Sequence, residues 1–359
     1  MSRENVIVPF DTLEGFMKDV FMALGVPEED ASICADVLIT ADKRGIHSHG
    51  INRMKPFYYD RLRNGLQLPD AKLEVVREGP TTAVVDGHFG MGHAVSKKCM
   101  DMAISKAGEF GMGMVAVRNS THFGIAGYYA MMAADAGMIG MTGTNARPSV
   151  APTFSTEGVL GTNPFTISFP TDEEFPFVLD CATSIWQRGK IEYYAREGKK
   201  IPEGLVIGKN GAHMTDSQEI LDAFLSKDAA LLPLGGPEET AGYKGYGYST
   251  VVEVLSSALQ GGPFLRAITG VNVGHFFMAM DIEAFIDLDD FKATAGEIMR
   301  ELRTSRKMPG KERIMTAGEP EYLYWMENRE KGVPLNESLV NDLKVMREEL
   351  SLKGHALPF

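Results

Sequence analysis

The stretch RGIHSHGINR, residues 44–53, sets two of the chain's eight histidines on either side of a serine, with an arginine four residues beyond the second. Imidazole has the ordinary pKa nearest neutrality, which suits it to exchange a proton with a hydroxyl or carbonyl oxygen. A guanidinium offers a planar fork that takes a carboxylate through two parallel bonds. The spacing predicts a helix start with Ser48 as N-cap, which puts His49 and Arg53 at i and i+4 on one face, while Gly50 permits close backbone approach. Together they describe a site for a 2-hydroxy or 2-oxo acid. The same residues also fit a plain polar loop carrying an exposed arginine. A third reading, a metal held by His47 and His49, lacks a third ligand at suitable spacing, and no metal is expected.

Other chemistry-bearing side chains fall where strands end. RNSTHFGIAGYY places His122 past a strand and before a glycine-permitted turn into a helix, a position where ligands gather in α/β proteins. Read alone, that segment fits a half-buried structural histidine equally well. GVLGTNPFTISFP and PFVLDCATSIWQRGKI supply Thr162, Asn163, Asp180, Thr183, Ser184 and Lys190, of which Thr183 and Ser184 also read as turn or cap residues. DGHFGMGHAV matches half of a dinucleotide fingerprint, with Val95 in place of the third glycine and no acid at ribose spacing, so it reads as a tight strand-to-helix turn. GYKGYGYST surrounds Lys244 with glycines without being a P-loop, yet offers amides and an ammonium to a pyrophosphate.

The elements that must hold these residues follow from periodicity. Two amphipathic helices are predicted over TLEGFMKDVFMALGV and PEEDASICADVLITADKRG, and a third over Ile51–Leu62, closed by Asn64-Gly65. They define a helical N-terminal region, 1–75. Across 76–285 short β-prone runs alternate with helices over AVSKKCMDMAISKAGEFG, GIAGYYAMMAADAG and YSTVVEVLSSALQGG, an α/β core interrupted by a polar stretch, 198–248. Helices dominate again in 286–359, and these are expected to pack back on the N-terminal ones.

Bulk properties exclude several classes. The net charge of −12, from 36 basic and 48 acidic residues, forms no basic stripe and argues against a nucleic-acid partner. No apolar run of about twenty residues exists, so no membrane span is expected. MSRENVIVPFDTLEGF reads as a first folded element rather than a signal, and three scattered cysteines (Cys34, Cys99, Cys181) fit reduced thiols in a cytoplasmic protein.

Taken in order, ADKRGIHSHGINR, STHFGIAGYY, GTNPF, LDCATSIWQRGKI, PLGG, GYKGYGYSTVVEVLSSALQGG and AGEPE resemble the motifs of the type-2 malate/L-lactate dehydrogenases. That family also holds sulfolactate and ureidoglycolate dehydrogenases and 2,3-diketogulonate reductase. The resemblance spans nearly the whole chain. It implies a homodimeric oxidoreductase that moves a hydride between NAD or NADP, NAD ranked first, and C2 of a 2-hydroxy/2-oxo acid such as malate/oxaloacetate or lactate/pyruvate. It also implies a cofactor fold that is not a Rossmann fold, with a mixed sheet in the α/β core and a helical domain built from both terminal segments.

Carried over residue by residue, His49 resembles the family's acid/base, Ser48 its hydrogen-bonding partner and Arg53 its carboxylate clamp. His122 resembles the second active-site histidine beside the nicotinamide, with Phe123 next to it, and Thr162 a substrate or cofactor contact. Asp180, Cys181 and Ala182 resemble the cofactor segment Asp-Met-Ala, and Lys244, Gly318 and Glu319 later cofactor contacts. Lys190 stands where an imine-reducing branch carries an acid, and is the next proton-exchange candidate after the histidines. Three positions depart from the pattern: His47 replaces an aspartate, Cys181 a methionine and Ala317 a proline. Reductases of a larger sugar acid, of sulfopyruvate or of a cyclic imine remain alternatives, as does a binding protein that kept the fold.

Overall fold

The computed structural model describes residues 6–359, so the first five residues of the opening segment lie outside it. Helix α1 (Phe10–Ala23) buries Phe10, Leu13, Phe16, Met17, Val20 and Phe21, the three-four spacing from which it is predicted. Helix α2 (Glu28–Lys43) starts after Pro27 with three acids in its first turn, where they favour the positive end of the helix dipole.

The chain after α2 departs from expectation. Residues 47–50 form a turn, Ile51–Arg53 one 3-10 turn and Met54–Tyr59 a π-helix, before a single α-turn, α3 (Asp60–Arg63). Ser48 therefore caps no helix, and His49 and Arg53 share no α-helical face. Pro56 has no N–H to return to Asn52, so the i→i−4 ladder is broken here and the chain winds wider.

The central sheet has seven strands: β2 (Glu74–Glu78), β3 (Thr82–Asp86), β4 (Met112–Ser120), β5 (Met138–Thr144), β6 (Phe165–Phe169), β7 (Phe177–Cys181) and β10 (Val273–Asp281). Their order is β2-β3-β4-β10-β5-β6-β7, and only β3 and β4 run parallel. A doubly wound dinucleotide fold is mostly parallel, so the architecture is the non-Rossmann mixed α/β one. Central β10 buries His275, Phe276 and Phe277 between two neighbours. Helices α4 (Gly92–Phe110) and α5 (Ala126–Asp135) share an apolar core with β3, β4 and β10.

The polar stretch is not structureless. α6 (Arg188–Arg196), β8 (Val206–Gly208), α7 (Ser217–Ser226) and β9 (Ala229–Leu231) enclose a small core of Ile191, Ile201, Leu205, Val206 and Ile220. Next comes α8 (Gly242–Leu255), which starts earlier than its apolar pattern and takes Lys244 into its first turn. Gly245 fits there because a Cβ would collide with the backbone of Leu234.

α9 (Leu288–Thr304) lies against the β6–β7 edge through Phe291 on Phe169, Arg300 on Asp172 and Arg303 on Glu173. α10 (Glu319–Asn328) contributes Trp325, and α11 (Glu337–Glu349) Leu339, Val340, Leu343 and Met346, to the same core as α1 and α2. A two-stranded ribbon missed in the sequence, β1 (Val6–Val8) with β11 (Val333–Leu335), ties the two ends together. Among the described residues no helix is long and apolar enough to cross a membrane.

Candidate active site

The turn after α2 meets the end of β4 in one cluster. The rings of His49 and His122 stack with centroids 5.8 Å apart, 19° from parallel. Arg53 lies over the Phe57 ring at 4.7 Å, and Phe57 meets His122 edge-on at 4.9 Å. Three residues singled out in the sequence, His49, Arg53 and His122, thus come together from segments 69 positions apart.

Each is held from behind. The Arg53 Nε donates to the Ser48 carbonyl at 2.6 Å, and neither terminal nitrogen of the fork has a hydrogen-bond partner among the described residues. Ser48 Oγ lies 2.9 Å from His49 Nδ1. Beneath the turn sits Asp42, fully buried, accepting from the Ile51 N–H at 2.7 Å and from His47 Nδ1 at 2.9 Å. Gly50 is obligatory here, because a Cβ would overlap the Asp42 carboxylate. His47 Nε2 reaches the Tyr324 hydroxyl of α10 at 2.9 Å, so both ring nitrogens of His47 are occupied. The aspartate-to-histidine departure thus acts through a clamp on α10.

His122 is placed by its backbone. Gly92, first residue of α4, packs directly on the carbonyls of Thr121 and His122, and a Cβ would fall well inside van der Waals distance of both. The Gly90–Val95 turn is therefore filled by protein where a Rossmann fold would seat a pyrophosphate. Tyr58, fully buried in the π-helix, brings its hydroxyl to 2.5 Å from His122 Nδ1.

Electrostatics separate the two imidazoles. Burial, then Arg53, pulls His49 down to about 4. Burial also pulls His122 well below the usual histidine range, reinforced by His49, His93, Arg53 and Arg61. His93 on α4 is fully buried against Tyr58, with neither ring nitrogen hydrogen-bonded, and burial alone takes it to about 3. Arg61 lies over the Phe57 ring at 4.3 Å, and its charge is felt by Arg53 and Arg147. Arg147 follows Ala146, whose N–H is pinned by Asn163 Oδ1 at 3.1 Å. Arg53, Arg61 and Arg147 have no carboxylate partner at salt-bridge distance among the described residues.

The remaining sequence candidates spread over several elements. Asp180, at the end of β7, accepts from the Gly127 N–H at 2.7 Å and from Thr166 Oγ1 at 2.9 Å, which ties the start of α5 to the sheet. Burial pushes its carboxyl up. Cys181 and Ala182 follow, half-buried. Thr162 is half-buried, and its carbonyl accepts from the Thr183 N–H. Lys244 is exposed near Tyr243. Gly318 takes φ +92° against β7, and the Glu319 carboxylate is consumed by Arg303 and Arg313. The Phe123 ring is turned into the core, stacked on His275 at 4.4 Å, which leaves it unavailable to a ligand. Lys190 is exposed over Trp186, and no contact joins it to the histidines.

Phe57, Tyr58, Arg61 and Arg147 carry no signal at helical or strand spacing. A π-turn brings i and i+5 together, so the Arg53–Tyr58 interval was the available sign.

The family model for malate/L-lactate dehydrogenase matches residues 8–344. A malate dehydrogenase of Pyrococcus horikoshii is 45% identical over 98% of each chain, and an L-sulfolactate dehydrogenase of Methanocaldococcus jannaschii 40% identical over 93% of this chain and 94% of that one. Among solved structures, malate dehydrogenase from Entamoeba histolytica superposes with a TM-score of 0.95 at 44% identity, covering 99% of this chain and 100% of the other.

Proposed function

The chain belongs to the malate/L-lactate dehydrogenase family and is a 2-hydroxyacid dehydrogenase, and from that premise we propose that it interconverts a 2-hydroxy acid bearing two anionic groups, malate before lactate, with its 2-oxo acid. The observation that carries this reading is a set of three guanidiniums without a carboxylate partner among the described residues, Arg53 and Arg61 over the Phe57 ring and Arg147 within electrostatic reach of Arg61. One anion needs one fork. Malate and sulfolactate, which the names of two relatives record, each carry a second anion.

In this reading Arg53 takes the C1 carboxylate through its two terminal nitrogens, and Arg61 with Arg147 faces the distal anion. His49 exchanges the proton of the C2 oxygen, backed by the Ser48 hydroxyl. Its depressed pKa fits the cycle. Once a carboxylate neutralises Arg53, the second cause of the depression is cancelled and the imidazole takes up a proton more readily.

The donor set suits a nicotinamide dinucleotide, NAD ranked before NADP: Lys244 in the first turn of α8, without a carboxylate partner among the described residues, the Asp180–Ala182 segment ending β7, and the backbone of Gly318 beside that strand. When bound, the nicotinamide supplies the hydride. Lys190 and the Phe123 ring take no part.

The test is a steady-state screen of oxaloacetate, sulfopyruvate, 2-oxoglutarate and pyruvate with NADH and NADPH, repeated in Arg61→Met. The proposal expects kcat/KM for oxaloacetate to exceed that for pyruvate, and Arg61→Met to erode the preference roughly ten- to hundredfold, the range for a lost charge-assisted bond. A preference for pyruvate, or one untouched by Arg61→Met, refutes the two-anion assignment.

A further inference from the structure

The two stacked histidines have different partners, and the difference assigns them different work. His49 Nδ1 faces a serine hydroxyl, which rotates to donate or accept and so tolerates both a neutral and a cationic ring. His122 Nδ1 faces a backbone N–H, which can only donate, and a phenol hydroxyl, which donates where it meets a lone pair. The Gly124 N–H points at it from 3.3 Å. The Tyr58 hydroxyl lies 2.5 Å away, burial keeps it protonated, and the Gly124 N–H backs its oxygen as well. With two donors aimed at Nδ1, that nitrogen must present its lone pair, and the ring proton sits on Nε2. His122 Nε2 has no protein partner among the described residues.

We propose that Tyr58 is a positioning residue that holds His122 in the neutral Nε2–H tautomer, so that His122 donates a hydrogen bond to the reacting oxygen while His49 alone exchanges the proton. The proposal rests on the dehydrogenase reading for the identity of that oxygen, and on geometry alone for the tautomer. The titratable and charged groups that face His122 oppose a cationic ring, namely His49 across the stack, His93 from α4, and Arg53 and Arg61 from the winding segment. The π-helix is what makes the contact. It brings Tyr58, five residues after Arg53, onto the same side as the clamp, where an α-helix would carry it about 140° round the axis.

Two substitutions of His122 separate donating from proton exchange. Glutamine carries an amide N–H that reaches the place of Nε2 but cannot take up a proton. His122→Gln, assayed with oxaloacetate and NADH, should keep kcat within about tenfold of the parent, the worth of one adjusted hydrogen bond. His49→Gln should lose roughly a hundred- to ten-thousandfold. Asparagine moves the amide to the Nδ1 position and leaves the Nε2 position empty, so His122→Asn should fall well below His122→Gln.

The tautomer has its own readout, imidazole ¹⁵N NMR of the holoenzyme from pH 5 to 9. His122 should show Nε2–H throughout in the parent. In Tyr58→Phe, which removes one buried oxygen, it should show mixed tautomers or titrate, with kcat for oxaloacetate reduced and KM for NADH unchanged. The proposal is overturned if His122 titrates in the parent, if His122→Gln falls as far as His49→Gln, or if Tyr58→Phe leaves the nitrogen spectrum unchanged. An enzyme that reduces no 2-oxo acid would defeat the functional reading, and the nitrogen spectrum would still decide the tautomer.

Discussion

Gly92→Ala is expected to disable the enzyme without touching any group that does chemistry. The added methyl would sit well inside 3.0 Å of the carbonyl oxygens of Thr121 and His122, both backbone atoms that cannot swing aside as a side chain would. Non-bonded carbons rest about 3.5 Å from their neighbours, so α4 and the end of β4 must part by roughly 1 Å. Overpacking of this kind costs about 1–3 kcal/mol of stability. The larger effect is on alignment. His122 would be carried off its 2.5 Å contact with Tyr58 and its stack with His49, and a misplacement of about 1 Å costs on the order of a hundredfold in rate. The assay is kcat with oxaloacetate and NADH at a temperature where circular dichroism shows both proteins folded. Gly189→Ala, where nothing lies within 4 Å, serves as control and should be silent. If Gly92→Ala keeps kcat within twofold of the parent, the close approach does not set the position of His122 and the reasoning fails.

Removing the Arg53 fork in Arg53→Met should cost about 3–5 kcal/mol in kcat/KM, two to four decades, and Arg53→Lys should recover part of it. The preference for the acid over its methyl ester must collapse in Arg53→Met while NADH affinity holds; a surviving preference removes Arg53 from the clamp. His93, held by burial at about 3 against an ordinary 6.5, stays neutral in the fold while the unfolded chain binds a proton. Stability is therefore lost as pH falls below about 6.5, by up to about 1.4 kcal/mol per pH unit from this group. Urea titrations at pH 7, 6 and 5 should give a shallower fall for His93→Phe than for the parent, and equal slopes would refute the assignment. We also propose a homodimer built on the exposed apolar face of α8, where Tyr246 and Val254 border a cleft of about 520 Å³ with Phe264. Sedimentation should find twice the chain mass of 39.3 kDa, and a fully active monomer would contradict it.

Chemistry was more legible in the sequence than winding. His49, Arg53 and His122 are legible because imidazole and guanidinium are the side chains suited to proton exchange and to carboxylate binding. The strands are visible because β-prone runs end in Gly, Pro, Asn or Asp. Ser48 was misread as a cap because Pro56, eight residues on, decides that no regular α-helix follows. Tyr58 and Arg61 stayed hidden because periodicity arguments assume 3.6 residues per turn. The unit around Ile191, Ile201 and Ile220 was hidden because a small core needs few apolar residues, and those few sit among charges. Lys244 falls within the polar stretch because Gly242 and Gly245 interrupt any apolar pattern there, whereas they allow backbone to pack on backbone.

The hydrogen bond from His47 to Tyr324 joins positions 277 apart in the chain. A ribosome adds about 5–20 residues per second, so the His47 turn emerges and then waits roughly 15–55 s before its fastening exists. By then all seven strands of the central sheet have been synthesised, since the last ends at Asp281. A chain broken off between Asp281 and Tyr324 would keep every strand of its central sheet and carry the His47 turn without its tie to α10. Activity would then report translation past α10 more faithfully than any spectroscopic measure of strand content.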